Sequence, residues 1–68
     1  MKNIAKQNLA KALGNRIKEF RINAGLTQKE LAERCGMLEP NIGAIERGTN
    51  TPTLPTLVKI SDALEVDL

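Results

Sequence analysis

The chain has 68 residues, of which 41% are hydrophobic, so it corresponds to one small domain that buries only about 60% of its unfolded surface. It contains one aromatic residue, no histidine and a single cysteine, Cys35, which excludes a structural zinc site and an internal disulfide; we expect neither metal nor cofactor. No apolar run approaches the roughly 20 residues of a membrane span, and we expect a soluble cytoplasmic protein.

The first third of the chain combines a basic charge with a helical apolar pattern. Residues 1–21 carry six lysines and arginines against one glutamate, whereas residues 50–68 carry one lysine against three acids. Gly14 weakens a helix, so we predict a regular helix over 14–24 after a basic extension over 1–12. Within the extension, residues 1–8 are expected to form a frayed first turn, an extra helix or a disordered arm. The apolar stripe repeats at steps of three and four, through Leu9, Leu13, Ile17, Phe20 and Ala24.

The second helix has a clear start signal. Thr27 and Glu30 have the spacing of a capping box, in which the hydroxyl accepts from one backbone N–H and the carboxylate from the other. This pattern predicts a helix over 28–35. Gly36 is expected to end it.

Two further short helices follow. Pro40 favours a first-turn position and pushes the residue before it out of the α region, which predicts a helix over 40–47 with Glu39 as its N-cap. Thr53 is expected to cap a fourth helix over 54–64, with Pro55 in its first turn. No strand pattern occurs, so we predict an all-α fold.

The second and third helices are joined closely enough to form a helix-turn-helix. Two helices that cross steeply over a short turn need a small residue at the crossing, a glycine in the turn and aliphatic anchors on the second helix. Ala32, Gly36, Ile42 and Ile45 supply these in the required order. A corner of an ordinary helical bundle is the alternative interpretation.

These motifs resemble the phage repressor and Cro-type (Xre-like) helix-turn-helix family. The resemblance covers about residues 13–68 and rests on the segments Gly25–Gly36 (GLTQKELAERCG), Ile42–Gly48 (IGAIERG) and Pro52–Leu64 (PTLPTLVKISDAL). It implies a compact DNA-binding domain of four to five helices, whose third helix enters the major groove. It also implies a prokaryotic or phage-type transcriptional regulator, of the repressor type, that binds double-stranded DNA as a homodimer and is nucleoid-associated when bound.

The resemblance also assigns site residues. Gln28 is expected to contact a phosphate, with the backbone of Thr27 nearby, and Arg47 and Asn50 are expected to face the sugar-phosphate backbone. The expected outer face of the third helix consists of Glu39, Asn41, Gly43 and Ala44.

The third helix departs from the family pattern. Leu38 and Pro40 replace the usual polar residues, and no lysine or arginine is expected to point from the first two turns, so we expect no bidentate reading of guanine. Asn41 can pair with adenine and Glu39 can accept from cytosine N4.

A buried salt bridge is a further implication of the resemblance. Arg21 and Glu46 are expected to join the first helix to the end of the third, which makes Glu46 a scaffold residue.

The sequence also bears on two other classes of function. A protein-interaction module with the same fold and weak or no DNA binding is the alternative, because the would-be recognition face contains Leu38, Glu39, Gly43 and Ala44. We do not expect an enzyme, since no pair of residues could serve as nucleophile and base.

Overall fold

The computed structural model describes the backbone of residues 2–67 and the side chains of residues 9–67. Four α-helices and no strand occur in this part of the chain, which confirms the predicted all-α class. They are α1 (Lys2–Asn23), α2 (Gln28–Cys35), α3 (Glu39–Arg47) and α4 (Leu54–Leu64). Helix α3 packs against both α1 and α2, and α4 packs against α2.

Helix α1 begins at Lys2 and not near residue 14 as predicted. Gly14 lies inside α1 and does not interrupt the helix. Packing requires a glycine at this position, because a Cβ atom there would lie 2.3 Å from the carbonyl oxygen of Ile45. The glycine therefore costs helix propensity but allows the backbones of α1 and α3 to meet. The backbone of residues 2–12 forms the first part of α1. The side chains of residues 1–8 lie outside the described part, and a separate role for residues 1–12 stays a prediction.

The predicted capping box of α2 is confirmed. The Glu30 backbone N–H donates to Thr27 Oγ1 over 3.0 Å, and the Thr27 N–H donates to Glu30 Oε1 over 2.9 Å. This backbone hydrogen bond, followed by the Thr27 side chain and the nearby Arg34 charge, holds the pKa of Glu30 below its ordinary value. At the other end, Gly36 adopts φ 65°, a left-handed conformation that glycine takes without strain.

The start of α3 differs from the prediction by one residue. Glu39 is the first helical residue, and Leu38 is the N-cap with an extended backbone and no side-chain cap. The first turn closes through the Asn41 N–H, which donates to the Leu38 carbonyl over 3.0 Å. Pro40 still lies in the first turn, where its missing N–H would have no helical partner in any case. Thr53 caps α4 with Pro55 in its first turn, as predicted.

The core lies at the junction of all four helices. Ile17, Leu31, Ile42, Ile45 and Ile60 are almost completely buried. Cys35 is also buried, and burial raises the pKa of its thiol against the opposing charge of Lys59. None of the helices in residues 2–67 is long and apolar enough to span a membrane.

Candidate nucleic-acid interface

The joint between α2 and α3 holds its apolar anchors in the core. Ala32 of α2 and Ile42 and Ile45 of α3 are at most 2% exposed. The turn is closed by the Met37 N–H, which donates to the Ala32 carbonyl over 2.8 Å, next to the left-handed Gly36. Because these anchors bury one side of α3, its opposite side faces solvent.

The predicted ion pair between α1 and α3 is present. Arg21 Nε donates to Glu46 Oε2 over 2.7 Å, and Arg21 Nη2 donates to Glu46 Oε1 over 3.1 Å. The guanidinium also donates to the Leu26 carbonyl over 2.8 Å, so it fixes the turn that leads into α2. Both residues are buried, which makes this two-point contact an element of the scaffold.

Gln28 joins the same network. Its Nε2 donates to Glu46 Oε1 over 3.0 Å, and its side chain is half-buried. The contact uses one of the two N–H donors of the amide, so the predicted phosphate contact of Gln28 stays a prediction that depends on the other donor. A carboxylate only accepts hydrogen bonds, so this contact also determines which end of the amide faces Glu46. Nothing in the sequence spacing of Gln28 and Glu46 signals this contact.

The solvent-facing side of α3 contains three of the four expected residues. Glu39 and Asn41 are exposed, and Ala44 is half-exposed. Gly43 was assigned to the outer face, but it is buried because the side chains of Gln28 and Arg47 cover it. Leu38, just before α3, is 72% exposed.

Arg47, the last residue of α3, has its guanidinium over the second turn of that helix, although no lysine or arginine belongs to the first two turns. Arg47 Nη1 lies only 3.1 Å from the point where a Cβ of Gly43 would stand. Helical side chains lean towards the N-terminus and over the residue four positions earlier, and Gly43 has no side chain to hold Arg47 away. The spacing of four between a glycine and an arginine was the signal that the sequence analysis missed.

The loop after α3 is folded back onto that helix. The Ala44 carbonyl accepts from the Thr49 N–H over 3.0 Å, from its hydroxyl over 3.1 Å and from the Asn50 N–H over 3.3 Å. A Cβ at Gly48 would lie 2.9 Å from the Lys11 Cα, so α1 passes directly beside the loop. Asn50 and Lys11 are both exposed there, and sequence reasoning gave Lys11 no place in the site.

The candidate interface is a polar and basic surface. Among the described side chains, no group of three His, Cys, Asp or Glu residues is arranged to hold a metal ion. What the surface offers instead is the amides of Gln28, Asn41 and Asn50, the guanidinium of Arg47, the ammonium of Lys11 and the exposed first half of a helix. These groups suit hydrogen bonding to a polyanion and to base edges.

Comparison with known proteins agrees with this geometry. The chain is 38% identical over 60 residues to the HTH-type transcriptional regulator SutR of Escherichia coli (strain K12), covering 88% of this chain and 34% of that protein. It is 42% identical over 55 residues to the HTH-type transcriptional regulator ImmR of Bacillus subtilis (strain 168), covering 81% and 43% respectively. The chain thus spans between about a third and a half of the length of these curated relatives.

A solved structure with the same fold is also similar in sequence. The restriction-modification controller protein C.AhdI from Aeromonas hydrophila superimposes with a TM-score of 0.82 at 33% identity, over 88% of this chain and 89% of that one. The profile of the helix-turn-helix family matches residues 17–68. The chain belongs to the Cro/C1-type helix-turn-helix family.

Proposed function

We propose that the chain is a sequence-specific DNA-binding transcriptional regulator of the repressor type, which places α3 in the major groove of duplex DNA. The observation that carries this proposal is the α2–α3 joint, whose buried Ala32, Ile42 and Ile45 leave the first half of α3 exposed. The names of the relatives SutR and ImmR support it. Such a regulator works in the cytoplasm of a prokaryotic cell and is nucleoid-associated when bound.

Within this function, the exposed residues at the start of α3 read base edges. Asn41 pairs with adenine through N6 and N7, Glu39 accepts from cytosine N4, and Ala44 contacts a thymine methyl group. Gly43, which is buried, makes no base contact.

The phosphate contacts come from the two ends of the joint. The backbone around Thr27, at the start of α2, lies beside one phosphate, with the helix N-terminus favouring the negative charge. The Gln28 side chain keeps its bond to Glu46 and lines the same site. Arg47, at the end of α3, and Asn50, in the loop after it, contact the sugar-phosphate backbone.

The regulator binds as a homodimer on a two-fold operator. Each protomer presents one α3, so the half-sites are expected about 34–36 Å apart, which is one turn of the double helix. Sedimentation of the purified protein with and without its operator measures the stoichiometry, and a single protomer on a palindromic site would contradict this part.

Selection from a random duplex library, followed by binding titrations over a range of salt concentrations, tests the function. We expect an enriched palindrome and a logarithmic salt slope of about −0.9 for each phosphate neutralised. A salt-independent response, or no binding at low salt, would refute the proposal.

A pair of asparagine variants tests base reading on the selected duplex. Asn41→Ala removes the proposed adenine contact and should cost about 1–3 kcal/mol of discrimination at one base pair. Asn15→Ala, at an exposed position of α1, is the matched control and should leave affinity unchanged. Equal behaviour of the two variants would remove Asn41 from the recognition surface.

A protein-interaction module with the same fold is the second candidate. The observation that favours it is Leu38, an apolar side chain that is 72% exposed directly before α3. Under this function, Leu38→Ser weakens partner capture and the protein selects no duplex. Under the DNA-binding function, the same variant keeps its operator affinity within a few-fold.

A further inference from the structure

The space above Gly43 is occupied by two polar side chains from different helices. Arg47 Nη1 lies 3.1 Å from the position of a Gly43 Cβ, and Gln28 Oε1 and Nε2 lie 3.6 Å and 3.9 Å from it. The burial of Gly43 thus comes from a guanidinium and an amide, and not from the apolar core. Any side chain at residue 43 would compete with them for this space.

The orientation of the Gln28 amide is set by Glu46. Gln28 Nε2 donates to the Glu46 carboxylate over 3.0 Å, and the carbonyl Oε1 is the amide atom nearer the Gly43 Cβ position, at 3.6 Å. Glu46 is itself held by Arg21 over 2.7 Å. The Arg47 guanidinium makes no hydrogen bond to another described residue, so its five N–H donors stay available to a ligand.

We propose that Gly43 is a positioning residue for DNA binding: its missing side chain leaves room for the Arg47 guanidinium along the second turn of α3, where the guanidinium donors engage one DNA phosphate. This inference rests on the proposed DNA-binding function. It makes Arg47 the cation of α3 that is ordered before the duplex arrives, so less side-chain freedom is lost on binding.

A double-mutant cycle on the selected duplex tests the coupling. Arg47→Ala should weaken binding about tenfold, as expected for a hydrogen bond to a charged group, and should reduce the magnitude of the salt slope by about 0.9. Gly43→Leu fills the space above residue 43 with a good helix former, and it should produce the same loss of affinity and the same change in slope. The double variant should bind no more weakly than Arg47→Ala alone.

Two further variants keep the test decisive. Gly43→Ala places a methyl group 3.1 Å from the guanidinium and should give an intermediate loss, and it carries the cycle if thermal melting shows that Gly43→Leu is unfolded. Arg47→Lys keeps the charge but loses the planar fork, so it should retain the salt slope and recover only part of the affinity.

The outcomes separate this inference from the function on which it rests. Additive effects of the Gly43 and Arg47 variants, or an unchanged affinity in Arg47→Ala, would overturn the inference while DNA binding stands. A loss confined to one base pair would make Arg47 a base reader and overturn the phosphate contact. If the unmodified protein binds no duplex at low salt, both the proposed function and this inference are wrong.

Discussion

Replacing Gly14 by alanine should destabilise the protein, although helix propensity alone predicts the opposite. Alanine is favoured over glycine inside a helix by about 1 kcal/mol. In this fold, however, the new Cβ would lie 2.3 Å from the Ile45 carbonyl oxygen and 2.7 Å from that of Glu46. Ordinary van der Waals contact begins near 3.4 Å, so the backbones of α1 and α3 would have to separate by about 1 Å.

The size of the effect follows from which atoms collide. Overpacking a core typically costs about 1–3 kcal/mol, and this contact belongs at the upper end because backbone carbonyls cannot rotate away as a side chain can. Subtracting the propensity gain leaves a net loss of about 2 kcal/mol. For a domain of this size, that corresponds to a melting temperature lower by about 8–16 °C.

Thermal and urea unfolding followed by circular dichroism measure this loss. Asn15→Ala, at the next position of α1 and exposed, is the control and should change stability by no more than about 0.5 kcal/mol. If Gly14→Ala were as stable as Asn15→Ala, or more stable than the unmodified protein, the close approach of α1 and α3 would be refuted.

Four other predictions concern stability. Arg21→Met leaves the buried Glu46 carboxylate without its ion pair and should cost about 3–5 kcal/mol in urea unfolding. Leu38→Ser supplies the missing N-cap of α3 and should add about 1 kcal/mol, measured by melting. The pKa of Glu30 is lowered by folding, so the advantage of the unmodified protein over Glu30→Gln should be complete above the ordinary glutamate pKa of about 4.3 and should vanish as the pH falls through the lowered folded value. Burial raises the pKa of Cys35, so the thiol's contribution to the free energy of unfolding is complete below the ordinary thiol pKa of about 8.5 and is lost as the pH rises through the folded value. The stability of Cys35→Ala should therefore fall less steeply with pH in that alkaline range than the stability of the unmodified protein.

Each of these has an outcome that contradicts it. An Arg21→Met variant as stable as the unmodified protein would mean that Glu46 is solvated. A less stable Leu38→Ser would mean that Leu38 packs on a neighbour. If the stability of Glu30→Gln or of Cys35→Ala changed with pH in parallel with that of the unmodified protein, folding would leave the pKa of that residue unchanged.

The features that could be predicted from the sequence are those determined by neighbouring residues. The capping box of Thr27 and Glu30 spans three positions, and the start of α2 was correct for that reason. The predicted start of α1 was wrong because helix propensity includes only the cost of Gly14. The packing benefit of this glycine arises at Ile45, which is remote in the sequence and adjacent in space. The start of α3 was displaced by one residue because the restriction before Pro40 is a tendency that a closed first turn overrides.

The candidate site shows the same division. The resemblance gave the Arg21–Glu46 pair correctly, because its residue types occur at the positions where that family has them. The bond from Gln28 to Glu46 and the cover over Gly43 depend on rotamers chosen by three packed helices, and no pattern along the chain encodes them. The position of the Arg47 side chain over Gly43 could have been predicted from the sequence, since it follows from the direction of side chains on a helix.

Under the proposed DNA-binding function, the sharing of one carboxylate by Arg21 and Gln28 has a consequence for how the protein could acquire a new operator. A substitution at Glu46 would release the α1–α3 clamp and the amide at the edge of the interface together, so altered recognition and lost folding would arrive in the same variant. We therefore expect changes of specificity under that function to be tolerated most readily at Glu39 and Asn41, whose side chains are exposed and make no hydrogen bond within the described residues. The fold thus separates exposed positions that can be exchanged, Glu39 and Asn41, from the buried Glu46, which cannot be exchanged without loss of stability.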